Sequence, residues 1–195
     1  MRRWILIAPL LVFGLTGIYL LVFFLRGGSG PFHENLLPGL IGFCLEGFFL
    51  VGILSYIQQT REHERRQEMW LSLRGSLRDF LSHLDVAFIE GEGEPEAAKA
   101  LEEDPEVVKR LHGQLDAIEL DLESMIALKN VGERSLELTH DLIPVAAQLS
   151  AGHMRWWIAI VDSVRHLSEA EDRYQIYTAL RSFLANLSEF DELGY

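Results

Sequence analysis

From Trp4 to Leu25 the chain carries no charged residue, and from Leu36 to Ile57 it carries one, Glu46. Each run is about 22 residues, about 33 Å as an α-helix, which matches a hydrocarbon core of about 30 Å. A cleaved signal peptide would have an apolar region of only about 7–15 residues ending in small residues. Phe23-Phe24-Leu25-Arg26 offers no such site. The pattern predicts a two-span transmembrane hairpin over residues 1–57, with spans of about 4–25 and 36–57.

In the second span Asn35, Gly39, Gly42, Glu46, Phe49, Ile53 and Tyr56 recur at steps of four and three, which places them on one stripe of a helix. Gly39 and Gly42 leave room for another helix, and Glu46 lies near mid-span on the same stripe. A carboxylate at that depth is costly and should face protein or water. Two roles follow: a polar fastener, pairing the two spans or two copies of the chain, or a lumen residue in an oligomeric pore.

After Ile57 no Gly or Pro occurs before Gly75, and Gln58 to Glu68 is rich in helix formers. The second span is expected to continue as a helical extension over residues 58–89. Its apolar stripe returns at Trp70, Leu73, Leu77, Phe80, Leu81, Leu84 and Phe88. Glu90-Gly-Glu-Gly-Glu-Pro-Glu is the clearest break, and residues 90–195 then read as a helical bundle.

Within that region a short helix is expected over Glu96 to Glu103, stopped at Asp104-Pro105. One stripe from Val108 through Leu111, Leu115, Ile118 and Leu122 to Met125 predicts about five turns of coiled-coil-like helix, ending at Asn130-Val131-Gly132. Pro144 kinks or starts a helix, Ala151-Gly152 marks a break, and Ser168-Glu-Ala-Glu171 has the form of a capping box before the last helix. No stretch alternates with period two between turn residues. The fold class is all-α.

Charge adds a direction. Arg2 and Arg3 precede the first span, and Arg61, Arg65, Arg66 and Arg74 follow the second, while the connection from Arg26 to Asn35 carries Arg26 alone. By the positive-inside rule both termini are cytoplasmic. Arg61, Arg65 and Arg66 are expected to meet lipid headgroups, with Trp4 and Tyr56 at interface depth. From Ser82 onward nine Lys/Arg face 23 Asp/Glu, a balance of −14 that argues against nucleic acid as a partner. Cys44, the one cysteine, precludes an internal disulfide.

The search for chemistry yields little. Seven histidines are scattered without the H-E-x-x-H spacing of a zinc helix, and phosphate-binding glycine loops and nucleophile elbows are missing. His140-Asp141 lacks a nucleophile of matching context. The expectation is no catalytic, metal or cofactor site, hence no enzyme. Trp156 and Trp157, beside Arg155, stand as a candidate partner surface against the alternative of core packing.

Glu34-Asn-Leu-Leu37 with Gly42, followed by Arg61-Glu-His-Glu-Arg-Arg66 and Trp70, resembles a group of uncharacterised bacterial membrane proteins with an N-terminal two-span hairpin and a helical cytoplasmic region. The resemblance covers about the first 85 residues and implies a bacterial inner-membrane location. That group carries an acidic residue near the cytoplasmic end of the second span, where this chain has Ser55 and Tyr56. The combined expectation is a membrane-anchored, self-associating interaction or scaffold protein whose partners are lipid, further copies of itself and an unidentified protein. The alternative is a small oligomeric channel or membrane-perturbing effector with Glu46 facing the lumen.

Overall fold

The computed structural model describes residues 2–27, 30, 36–88 and 95–195. The chain is 88% helix, and no strand occurs among the described residues. The helices are α1 (Arg2–Leu25), α2 (Leu37–Ser76), α3 (Arg78–Ala87), α4 (Ala98–Glu103), α5 (Pro105–Ala117), α6 (Leu122–Asp141), α7 (Ile143–Leu149), α8 (Ala151–Glu169) and α9 (Arg173–Glu192). They form two compact units, Met1–Glu64 and Arg65–Tyr195, with α2 contributing to both. The connection over residues 31–35, the acidic break over 90–94 and the Trp4 side chain lie outside the described residues.

In the first unit, two helices are long and apolar enough to cross a membrane. Their large side chains point outward: Leu15 is 65% exposed, Ile18 62%, Phe43 63% and Leu50 60%. Where α1 and α2 touch, small residues permit close approach, as is common between helices that lack a water-driven attraction. A Cβ added to Gly47 would stand 2.6 Å from the Phe13 ring, and one added to Gly17 would stand 3.3 Å from Cys44 Cβ. Phe13 also meets Phe43 edge-on, with ring centroids 5.9 Å apart.

The second unit inverts that pattern. Leu73, Leu77, Phe80, Leu81 and Leu84 are fully buried, as are Trp157, Leu180, Leu184 and Phe190. α8 packs against α6, α7 and α9, while α9 also packs on α5, and α3 on α6. Phe80 stacks obliquely on Phe183 at 4.4 Å, and Trp157 on Phe190 at 5.5 Å. Arg110 bridges Asp85 and Glu96, and the Glu96 N–H donates to Asp85 Oδ2 at 2.8 Å.

Several expected boundaries stand. Asp104 caps α5, accepting from the Glu106 N–H at 2.9 Å with Pro105 in the first turn. Pro144 starts α7, while the break expected at Ala151-Gly152 falls at Ser150, which caps α8 by accepting from the His153 N–H.

Four boundaries need correction. The extension does not run on towards Ile89 as one helix: α2 ends at Ser76, whose hydroxyl donates to the Leu73 carbonyl at 2.7 Å, and α3 begins after Leu77. The stripe from Val108 to Met125 is two helices, broken between Ala117 and Leu122. Side chains from α9 hold that break. The Leu120 N–H donates to the Tyr177 hydroxyl at 2.5 Å and Arg173 donates to the Leu120 carbonyl at 2.7 Å. Gly132 does not end a helix but lies inside α6, where a Cβ would come within 3.3 Å of Leu167 on α8. Finally, Ser168 belongs to the last turn of α8 and donates to the Arg165 carbonyl. The cap of α9 is Asp172, which accepts from the Gln175 N–H at 2.8 Å, while Gln175 Oε1 reaches back to the Glu171 N–H at 2.7 Å.

Candidate functional site

The most concentrated buried polar group in the second unit is centred on Arg74. Its guanidinium is fully buried and pairs with Asp191 near the end of α9. The other donors go to carbonyls where α4 ends and α5 begins: Nε to Glu102 at 3.2 Å, and Nη2 to Leu101 and Asp104 at 3.1 Å each. Helix ends leave such carbonyls without intrahelical partners, so a planar cationic fork suits them. The Trp70 ring lies 5.5 Å from the guanidinium carbon and 5.8 Å from the Tyr195 ring.

Burial pushes the Asp191 carboxyl up to about 7, opposed by the charge of Arg74, and lowers the Arg74 pKa from its usual value. Asp191 Oδ1 and Trp70 Nε1 are buried without a hydrogen-bond partner among the described residues. Beside this group His153 is buried, with Nδ1 at 2.8 Å from Ser150 Oγ and Nε2 at 2.7 Å from the Gly194 carbonyl. Burial lowers its pKa. These residues tie α2, α4, α8 and the end of α9 together.

Among the hollows on the surface of the second unit, two stand out by their lining. One, of about 440 Å³, lies along α8 and α9 by His166, Tyr174 and Thr178. The larger, of about 530 Å³, lies where α6 begins and α8 gives way to α9, with Leu122, Met125, Ile126 and Ile176 as its apolar lining.

The residues singled out in the sequence fall apart in space. Gly39, Gly42 and Glu46 lie on the side of α2 turned away from the stripe of buried Leu37 and Cys44 and half-buried Ile41, Phe48, Val51 and Ser55. A Cβ on Gly39 or Gly42 would meet nothing within 4 Å, and Glu46 is exposed. The fastener role for Glu46 towards α1 is therefore corrected: that contact uses Gly14, Gly17, Cys44 and Gly47 instead.

Arg61, Arg65 and Arg66 are exposed along α2, and Arg65 donates to Gln148 Oε1 at 2.7 Å. Trp157 is corrected from partner surface to core: it is fully buried, and its Nε1 donates to the Thr139 carbonyl at 2.9 Å. Trp156 is half-buried, with Arg155 over its ring at 5.0 Å. His140 and Asp141 are both exposed, with Nδ1 and Oδ1 3.8 Å apart. Among the described residues no three His, Cys, Asp or Glu side chains converge as a metal site would require. The Arg74–Asp191 pair was missed because its members are 117 positions apart and neither belongs to a motif.

No protein family, curated protein or solved structure matches this chain.

Proposed function

We propose that the protein is a non-enzymatic, membrane-anchored interaction protein of the bacterial inner membrane, self-associating, with a cytoplasmic bundle that binds a protein partner. The carrying observation is the contrast in exposure: α1 and the first half of α2 keep large apolar side chains outside, whereas the second unit buries its own. Lipid is the solvent that makes such an exterior stable. The distribution of Arg2, Arg3, Arg61, Arg65 and Arg66 against Arg26 supports cytoplasmic termini. Carbonate washing of membranes tests the anchor, and the chain should stay in the pellet; release of the intact chain into the wash would remove the reading. Light scattering in detergent tests self-association, with a strictly monomeric particle counting against it.

A second reading, a small oligomeric channel, is favoured by the exposure of Glu46 on the side of α2 away from α1. Ion flux in reconstituted liposomes that disappears with Glu46→Gln would favour it. A tight bilayer in every condition would eliminate it.

A further inference from the structure

We propose that the cleft where α6 begins and α8 gives way to α9 is the docking site for a cationic amphipathic helix on the partner; this rests on the reading of the second unit as partner-binding. Leu122 is 73% exposed and Ile126 52%, one turn apart on α6, above the more buried Met125 and Ile176. Unpartnered apolar side chains at this spacing offer anchors for apolar residues spaced i, i+3, i+4 and i+7 on an incoming helix.

Charge selects the sign of the partner. The cleft's two cations, Lys129 and Arg173, are tethered, and Arg173 is also balanced by Glu119. Lys129 donates to the Ala170 carbonyl at 2.6 Å, and Arg173 donates to the Leu120 carbonyl at 2.7 Å while pairing with Glu119 at 2.7 Å. By contrast, the Glu171 carboxylate in the cleft is exposed and has no partner among the described residues, and the same holds for Glu123 on the first turn of α6, outside the cleft lining. Asp121 and Asp172 add two more negative charges while capping α6 and α9. The surrounding −14 balance from Ser82 onward strengthens the attraction for a basic segment and repels an acidic one.

A second copy of the chain is a poor occupant, because its Arg61–Arg66 segment is interleaved with Glu62 and Glu64. The cleft is also pre-formed: the Leu120–Tyr177 and Leu120–Arg173 hydrogen bonds hold its floor, so little ordering cost remains for binding.

The test uses the full chain in phosphatidylcholine nanodiscs and a labelled amidated peptide of about 15 residues, with Leu at i, i+3, i+4 and i+7 and Lys elsewhere. Fluorescence anisotropy should show saturable binding beyond that to empty discs, weakened about tenfold or more by Leu122→Lys or Ile126→Lys. Both positions are exposed, so the fold tolerates these variants, and circular dichroism checks this. The same peptide with Glu for Lys, or with its leucines scrambled, should not bind. Four results would each overturn the proposal: binding no greater than to empty discs (lipid as the only occupant), affinity unchanged by both variants, equal binding of the acidic peptide, or a chain–chain complex in the discs that Leu122→Lys dissociates. A chain that fails to enter the discs counts against the membrane reading instead. It is then assayed in solution, where the same results decide the cleft.

Discussion

In the first unit a leucine on a helix surface is ordinary, and in the second it is an exception. Leu11, Leu15, Leu45 and Leu50 are all at least half exposed, yet Leu73, Leu77, Leu81 and Leu84, further along the same chain, are fully buried. The polar residues invert as well. The second unit encloses Arg74 and Asp191, each held by the other, whereas Glu46 in the first unit lies on the outside. Helical periodicity is present in both, so periodicity alone does not reveal which face is solvated, or by what. The difference teaches that packing in the second unit is specified by buried shape and paired charge, and in the first by small residues that let two helices approach.

The largest effect should come from breaking the buried pair. Arg74→Met would leave Asp191 without its counterion and free three carbonyls around α4, so the second unit should lose about 3–5 kcal/mol in denaturant unfolding followed by tryptophan fluorescence. A loss under about 1 kcal/mol would show that this unit does not depend on the pair.

The first unit should answer instead to volume at its glycines. Gly47→Leu drives a side chain into the Phe13 ring, with an expected cost of about 1–3 kcal/mol. A cross-link reads the contact directly. Gly17→Cys places a thiol beside native Cys44, at a Cβ separation close to that of natural disulfides. Oxidation should join α1 to α2 in this variant and fail once Gly47→Leu is added. A cross-link that forms equally well with Gly47→Leu would mean that the glycine is incidental.

Acidity separates two neighbours within the second unit. Asp191 binds its proton more readily folded than unfolded, so its contribution is full below about pH 4 and is lost as pH rises through about 7. His153 has a lowered pKa, so its contribution is full above about pH 6.5 and is lost as pH falls through its folded value. The two oppose each other between those limits. Relative to the wild type, Asp191→Asn should become less stable on acidification, and His153→Gln should become less stable as pH rises. Unfolding midpoints measured from pH 4.5 to 7.5 check this, and profiles parallel to the wild type in both variants would refute it.

The smallest effect distinguishes two candidate caps. Asp172→Ala should cost about 1 kcal/mol by removing the acceptor for the Gln175 N–H, and Ser168→Ala should cost almost nothing. The reverse order would restore Ser168 as the start of the last helix.

The amino-acid order by itself determined the helical class seen among the described residues, the two long apolar helices, the cap at Asp104-Pro105 and the helix start at Pro144. Those features depend on neighbours within a few residues, where propensity, capping and hydrophobic spacing act. It also determined the acidity of the distal region, because charge sums without reference to fold. Tertiary structure decided the rest. Whether the stripe from Val108 to Met125 is one helix or two depends on Tyr177 and Arg173, more than 50 positions away. Whether Gly132 stops a helix or admits one depends on Leu167. The contact face of the second apolar helix was equally out of reach, because Gly39 and Gly47 are both glycines and only the position of Phe13 separates them. A local pattern lists the faces a helix could use, and long-range packing selects among them because the partner surface is built by residues remote in sequence.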